Sequence, residues 1–412
     1  MRRVALALAA LLSLAGCTSS TSGTGTTGGS TPASGRTATG SPIPASSTPP
    51  PPSSSSAAPS TSVAPVPRSG PLNGFLVADV TFVGAQGWAL GTVGCTRSSG
   101  RCTALAHSTD NGRTWHSITP PPVTAQIPGV DTGGCGSVCA SSLRFATPAV
   151  GYVFSGGSSG ALFMTTDGGH HWRRQAGDAD ALESLDGNVL RVSDAGCDPP
   201  GCRYTVQVSA IGSASWAPVA LPGAGASAAV GVVLARSGSH AYLLGTGHVA
   251  GGAQHATSTL WSSADDGRHW TNRGEPCPQG ATEVDSTALT TAPDGTVVVL
   301  CRNRVTGRQF VALSSDGGAH FTVGAKQALG AAAAVIGAGS ARDVLASSDD
   351  TYRSTDGGRH FVRLDAEGGS SPGELSWLGF ASPTVAHAIS VDRRTIWLTT
   401  DGGLTWRAGR DR

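Results

Sequence analysis

An eight-residue motif recurs along this chain and constrains its fold more than any other feature. The first copy runs from Ser108 to Trp115, with a Gly two places after an Asp and an aromatic residue five places after it. The carboxylate can accept backbone N–H bonds within a tight turn, and Gly can take the positive φ that such a turn demands. Each copy therefore predicts a β-hairpin whose turn is held by the Asp. The six turn aspartates are Asp110, Asp167, Asp265, Asp316, Asp356 and Asp401.

A seventh, degenerate copy lies at Ser209–Trp216, where the Trp remains and the Asp is absent. With this copy included, successive motifs are 40 to 57 residues apart. Repeats of about 40–50 residues with several short strands each are typical of β-propeller blades. We therefore predict an all-β fold for residues 71–412, a seven-bladed β-propeller of four-stranded antiparallel blades.

The strand pattern within a repeat is clearest in the first and last blades. Blade one predicts strands at Leu76–Val83, Gly87–Gly91, Thr103–His107 and Thr114–Ile118, with the β-branched and aromatic residues that strands favour. The last blade is complete within Glu374–Ala408. We therefore expect the ring to close by side-chain packing between blades one and seven, and not by a swapped strand.

The motif resembles the Asp-box (BNR) repeat, S-x-D-x-G-x-x-W. This repeat occurs in sialidases, sortilin-type receptors, xyloglucanases and photosystem II assembly factor-like proteins. The resemblance covers most of residues 72–410 and implies the propeller fold. Because enzymes and non-enzymes share the box, it leaves the activity open.

The N-terminus indicates export and anchoring. Arg2 and Arg3 precede the apolar run Val4–Leu14, as in a secretory signal. Leu14–Cys17 resembles a bacterial lipobox, with an ordinary cleaved signal and a chance Cys as the alternative. A lipoprotein Cys carries two or three acyl chains, enough for stable anchoring. We therefore expect residues 1–17 to be a signal peptide with Cys17 lipidated, and the protein to lie on the extracytoplasmic face of the cell membrane.

Residues 18–70 are almost entirely Ser, Thr, Pro, Gly and Ala. Such a segment cannot bury enough apolar surface to offset its chain entropy. We expect a disordered tether between the membrane and the propeller.

The cysteine count favours disulfides. Setting Cys17 aside leaves eight cysteines, an even number in an exported chain. A metal site is disfavoured because the pairs lie on different blades and no His has a matching spacing; we expect no metal and no cofactor. Proximity along the chain favours Cys95–Cys102, Cys135–Cys139, Cys197–Cys202 and Cys277–Cys301.

The blade plan assigns these features to two faces. With the four strands of each blade lettered A to D in chain order, the A–B and C–D turns share one face, here called the box face because the boxes are C–D turns. B–C loops and D–A linkers share the other, here called the staple face because all four Cys pairs fall on it. Arginines assigned to the staple face could be ordinary solvated charge or a site for an anionic ligand. They are Arg97, Arg101, Arg302, Arg304, Arg308, Arg393 and Arg394.

Two functions compete. A sialidase needs three arginines, a Tyr nucleophile with a Glu partner and an Asp acid/base, and the family carries an Arg-Ile-Pro motif. The nearest stretch, Leu143–Pro148, departs from that motif, and the five glutamates fall mostly in predicted linkers. We therefore favour a non-enzymatic, monomeric binding or scaffold module for a protein or glycan partner, with a sialidase-like glycoside hydrolase as the alternative. No basic run with interleaved aromatics suggests nucleic acid.

Overall fold

The structure is a computed structural model, and the residues that it describes all belong to the compact unit Ala64–Arg412. Within these residues no helix is long and apolar enough to span a membrane. The signal peptide, the tether, Cys17, Arg97, Cys135 and Arg304 lie outside the described part of the chain. The described residues are 74–96, 100–130, 138–157, 159–198, 201–223, 229, 231–249, 256–277, 284–303, 306–324, 329, 335–364 and 371–411.

Seven antiparallel sheets follow one another along the chain, each with its strands in sequence order. This is the predicted seven-bladed propeller. Blades one to four comprise β1 (Leu76–Val83), β2 (Gln86–Gly94), β3 (Arg101–Ser108), β4 (Thr114–Ile118); β7 (Ser142–Phe145), β8 (Gly151–Phe154), β9 (Leu162–Thr165), β10 (Arg173–Arg174); β11 (Ala181–Ser184), β12 (Asn188–Asp198), β13 (Gly201–Ala210), β14 (Ala217–Val219); and β15 (Gly231–Ser237), β16 (His240–Val249), β17 (Ala256–Ser263), β18 (Thr271–Gly274).

The remaining blades repeat this order. They comprise β19 (Val284–Thr291), β20 (Val297–Asn303), β21 (Gln309–Ser314), β22 (Thr322–Val323); β23 (Val335–Ala338), β24 (Val344–Ser347), β25 (Thr351–Ser354), β26 (Val362–Arg363); and β27 (Leu375–Phe380), β28 (Ala386–Ser390), β29 (Ile396–Thr399), β30 (Arg407–Ala408). Two short strands, β5 (Thr124–Ala125) and β6 (Cys139–Ala140), pair in parallel between blades one and two.

Burial along the strands reflects their place in the ring. Every residue of β8, β24 and β28 is buried, because strand B is covered by a neighbouring blade on each side. The outer strands β10, β26 and β30 are exposed. The core consists of seven apolar clusters, one between each pair of adjacent blades. Burial of apolar area between blades, at about 25 cal/mol per Å², is therefore the main force that holds the ring together.

The ring closes in two ways. Ile389 and Ile396 of blade seven share a buried cluster with Phe75, Val77 and Trp115 of blade one, which is the expected side-chain closure. The expectation that no strand crosses over is wrong. A short strand, β31 (Arg410–Asp411), leaves blade seven and pairs in parallel with β4 on the outer edge of blade one. The crossover is possible because blade seven is already complete at Ala408.

Polar side chains at the start of strand B also join neighbouring blades. Among the described residues, four such side chains form a hydrogen bond with the box turn of the next blade. The bonds run from Trp88 Nε1 to the Gly168 carbonyl (3.2 Å), from the Gly212 N–H to the Tyr152 hydroxyl (3.2 Å), from Asn188 Nδ2 to the Asp266 carbonyl (3.2 Å) and from His387 Nε2 to the Asn111 carbonyl (3.0 Å). The last bond spans the closure between blades seven and one.

Within the described residues, three of the expected disulfides are present, Cys95–Cys102, Cys197–Cys202 and Cys277–Cys301. Cys139 is also disulfide-bonded. The first two pairs close B–C loops, and the third ties the segment after β18 to β20. These positions agree with the staple face as the blade plan defines it.

Candidate functional site

The box aspartates form hydrogen bonds within their own turns. The Asp110 carboxylate accepts bonds from the Ser108 hydroxyl (2.8 Å), the Thr114 N–H (2.8 Å) and the Thr114 hydroxyl (2.6 Å). Asp401 makes the equivalent bonds with Thr399 and Thr405. Because each carboxylate is directed back into its own hairpin, its geometry is that of a turn support.

Four boxes use a His where blades one and seven use Thr. The ring Nδ1 of each His lies within 2.5–2.7 Å of the box carboxylate, while the imidazole stays largely exposed. These residues are His171, His269, His320 and His360. They are spread over separate blades, and the described residues contain no group of three or more His, Cys, Asp or Glu that could hold a metal ion.

The seventh box has a different support. Trp216 Nε1 is buried without a hydrogen-bond partner among the described residues, whereas Trp115 Nε1 donates to the Gly112 carbonyl at 3.0 Å. The Arg191 guanidinium instead lies 4.5 Å from the centroid of the Trp216 ring. The Trp of the degenerate box is therefore held by a cation–π contact in place of the indole-to-glycine bond of the first box.

The described staple-face arginines are individually anchored or exposed. Arg302 forms an ion pair with Asp285 (3.0 Å), and Arg101 donates to the backbone of Gly74 and Thr92 (both 2.7 Å). Arg393 donates to the Ala78 carbonyl across the closure (3.1 Å). Arg308 and Arg394 are exposed. Their role in binding stays a prediction.

A central cavity of about 910 Å³ lies where the inner strands of all seven blades converge. Its lining reaches the A–B turns at Gly84, Asp186, Gly238 and Pro293. These turns adjoin the boxes: Asn111, for example, donates its N–H to the carbonyl of Ala85 in the neighbouring A–B turn (2.8 Å). The cavity therefore extends towards the box face, and none of the described staple-face arginines lines it.

Three charged residues from successive inner strands form a triad in the cavity wall. Glu183 of β11 lies between Arg144 of β7 and Arg236 of β15. Its two carboxylate oxygens lie 3.2 Å from Arg144 Nε and 3.1 Å from Arg236 Nε. Two guanidinium groups share one carboxylate, so the triad has a formal charge of +1.

The terminal nitrogens of both arginines remain available. Within the described residues, neither the Nη atoms of Arg144 nor those of Arg236 make a hydrogen bond. The Glu183 side chain is only 12% exposed, whereas Arg144 is 22% and Arg236 39% exposed. A buried carboxylate is thus hydrogen-bonded to Arg236 and forms an ion pair with Arg144, whose Nε makes no hydrogen bond among the described residues. The remaining donors of both guanidinium groups line a cavity, an arrangement suited to an incoming oxyanion.

Asp79 extends the charged network from blade one. Its carboxylate accepts the N–H groups of Leu143 and Val80, both at 2.8 Å. Burial raises the pKa of Asp79, although the charge of Arg144 acts in the opposite direction. Burial alone would lower the pKa of Arg144, but the carboxylates of Glu183 and Asp79 hold it above its ordinary value. Arg144 is therefore firmly cationic at its place in the wall.

The four tyrosines are poor candidates for a nucleophile. Burial raises the pKa of Tyr152 and Tyr242, and it raises that of Tyr204 to about 12. Tyr352 donates to Asp349 (3.0 Å), and this bond raises its pKa. A nucleophilic Tyr needs a lowered pKa or an adjacent base in the cavity, and none of the four tyrosines is among the cavity-lining residues.

Comparisons with known proteins agree with the fold. No protein-family model and no curated protein matches the sequence. Among solved structures, a puromycin hydrolase mutant complexed with PGG is similar with a TM-score of 0.53 and 14% identity, covering 83% of this chain and 53% of that one. YCF48 bound to a D1 peptide has a TM-score of 0.47 and 16% identity, covering 82% and 94%. A Hadza microbial sialidase has a TM-score of 0.41 and 13% identity, covering 69% and 80%. At these identities the likeness is one of fold.

Sequence reasoning missed the triad. Arg144 lies in the Leu143–Pro148 stretch that departs from the Arg-Ile-Pro motif. Glu183, in β11, is an exception to the expectation that the glutamates fall mostly in linkers. The strand assignment could have indicated these residues, because each triad residue lies on strand A of its blade, the strand nearest the axis. Which neighbours these side chains meet depends on the packing of three consecutive blades.

Proposed function

We propose that this chain is a lipid-anchored, extracytoplasmic binding propeller that takes an anionic group of a protein or glycan partner into its central cavity without chemical change. The observation that carries the proposal is the Arg144–Glu183–Arg236 triad, with unbonded Nη donors on a cavity wall. An anion there would meet donors that Glu183 already orients, so little side-chain entropy is lost on binding.

The anionic group that best fits the two guanidinium groups is a carboxylate or a sulfate carried by a larger partner. Guanidinium groups bind such oxyanions through paired N–H donors. The rest of the lining is mixed, with Thr81, Ser184 and Thr291 beside Trp377 and Phe380. Such a wall suits the polar groups and apolar faces of a sugar or a peptide chain.

A glycoside hydrolase remains the second candidate because Glu183 and Asp186 both line the cavity. Hydrolysis by a carboxylate pair requires one of them to donate a proton to the leaving oxygen. Glu183 is poorly suited to that task, since its two carboxylate oxygens already face the guanidinium groups of Arg144 and Arg236. Release of fluorophore from a fluorogenic sialoside or β-glucoside, abolished by E183Q, would favour the hydrolase.

The binding test compares two matched ion pairs. R236Q removes a cavity arginine, while R302Q removes a staple-face arginine whose pair has nearly the same length and exposure. Uronate- or sulfate-bearing oligosaccharides and peptides with acidic ends, with neutral analogues of each, serve as calorimetric probes. We expect R236Q to weaken binding of the anionic probes by about tenfold or more and R302Q to leave it unchanged. If R302Q alone lost binding of the anionic probes, the proposal would be contradicted and the staple face would be favoured as the binding site.

A further inference from the structure

A buried imidazole lies at the closure between blades seven and one. His387 of β28 is 1% exposed, and its Nε2 lies 3.0 Å from the carbonyl oxygen of Asn111 in the box turn of blade one. Because a carbonyl can only accept, Nε2 carries a proton and donates it. The ring also stacks on Phe82 of β1, with centroids 3.4 Å apart and an interplanar angle of 10°.

The second ring nitrogen has no acceptor. Among the described residues, Nδ1 of His387 forms no hydrogen bond, so a second proton there would find no acceptor among them. The imidazolium would then carry its charge in a ring that is 1% exposed, and the loss of hydration of that charge costs free energy. The neutral imidazole fits the closed ring, and the imidazolium does not.

In the described part of the chain, no opposite charge is paired with that proton. The elements around His387 present Phe82 from β1, Gly379 from β27 and Leu398 from β29, besides the Asn111 carbonyl. The ionisable residues of the box turn are Asp110, whose carboxylate accepts bonds from Ser108 and Thr114, and Arg113, which is a cation. Among the described residues, no carboxylate forms an ion pair with His387.

The other blade junctions with this contact use groups that do not titrate in mild acid. The equivalent bonds involve the Trp88 indole, the Tyr152 hydroxyl and the Asn188 amide. Of these four described contacts, the one at the closure between blades seven and one is the contact with an acid-sensitive group. The strand that crosses it, β31, is only two residues long.

We propose that the junction between blades seven and one is an acid-sensitive seam, which opens when His387 takes up a proton. His387 and Phe82 also line the central cavity, so opening the seam would disturb the cavity wall. The proposal itself concerns the ring and holds whether or not the cavity binds an anion.

The direction of the pH effect follows from the environment of the imidazole. Burial lowers the pKa of His387 from 6.5 to about 4, with the Asn111 bond acting weakly in the other direction. His387 therefore binds a proton more tightly when the propeller is open than when it is closed. The stability of the seam is complete above pH 6.5, declines as the pH falls towards 4, and changes no further below that.

The test compares the full-length protein with H387Q, which keeps an N–H donor and does not titrate. H387Y introduces the residue found at this position in blade two and serves if H387Q folds poorly. Urea unfolding is measured at pH 7 and pH 4.5. We expect the unfolding equilibrium constant of the wild type to rise on the order of ten- to a hundredfold more than that of either variant.

H107Q is the matched control, because burial also lowers the pKa of His107 to about 4, but His107 lies within β3 and pairs with His116 of β4. H107Q keeps His387, so its unfolding equilibrium constant is expected to rise between pH 7 and pH 4.5 more than that of H387Q, as in the wild type. Hydrogen exchange at pH 4.5 should be faster in β1, β4 and β28 of the wild type than of H387Q, and equal in β13. Equal pH dependence in the wild type and both His387 variants, or exchange that rises uniformly over all blades, would overturn the proposal.

Discussion

The indole Nε1 of Trp88, in the second strand of blade one, donates a hydrogen bond to the carbonyl of Gly168, in the box turn of blade two, over 3.2 Å. The same ring stacks on Phe145 of blade two, with centroids 3.9 Å apart. One side chain therefore joins the apolar core between two blades to the turn that the Asp box creates. The box turn of blade two thereby supports the junction with blade one as well as its own hairpin.

Trp88→Phe tests the polar part of this contact. The substitution keeps a ring for stacking and leaves the Gly168 carbonyl without its donor. We expect the free energy of unfolding to fall by about 1–3 kcal/mol, from the lost bond and the smaller ring. Urea denaturation followed by far-UV circular dichroism measures this. A variant as stable as the wild type would show that the inter-blade bond contributes nothing.

Asp401→Ala tests the box itself. The substitution removes the acceptor of the Thr405 N–H (2.9 Å) and of two hydroxyl groups. We expect a loss of about 1–3 kcal/mol in the free energy of unfolding, with ligand affinity of the folded protein unchanged. Leu404→Ala in the same turn is the control, since Leu404 is 58% exposed. Lost affinity at unchanged stability would assign the box turns a direct role in binding.

Acid should act on the boxes in a lower pH range than on the seam. Burial alone would raise the pKa of Asp265, but hydrogen bonds from the His269 N–H and ring lower it from 3.8 to about 2. Because the unfolded chain binds this proton more tightly, the stabilisation is complete above about pH 4 and is lost as the pH falls through 2. Asp265→Asn should reduce the slope of melting temperature against pH between 4 and 2. An unchanged slope there would contradict the assignment.

Removal of residues 410–412 tests the crossover strand. The truncation deletes the pairing of Arg410–Asp411 with Thr114–Trp115 and leaves all four strands of blade seven in place. We expect a folded propeller whose free energy of unfolding is lower by about 1–2 kcal/mol. Thermal unfolding with circular dichroism is the measurement. An unfolded product would mean that the crossover strand, and not the apolar cluster, carries the closure.

Cys17→Ser tests the anchor. Without its thiol the N-terminal signal cannot receive acyl chains, and the apolar interaction that would hold the protein at the membrane is lost. We expect the variant to move from the detergent phase to the aqueous phase after Triton X-114 partitioning of whole cells. Unchanged partitioning would refute the lipoprotein assignment.

The sequence by itself determined the fold, because the box is a local structure. Asp110 contacts residues within four positions of itself, and the Gly at position 112 adopts a φ of +78°, so the turn is set by neighbouring residues. Repetition of that turn at blade-sized intervals then required seven similar sheets. Blade one shows this directly, since β1 and β4 begin and end at the residues predicted from the pattern.

The tertiary structure decided what meets at the axis and at the closure. Glu183 contacts Arg144 and Arg236, 39 and 53 residues away, and His387 contacts Asn111 at a separation of 276 residues. Local patterns carry no information about such pairs, because the direction of each side chain depends on the twist and packing of two adjacent sheets. The same holds for Arg410–Asp411, whose pairing with blade one exists only once the ring has brought the first and last blades together.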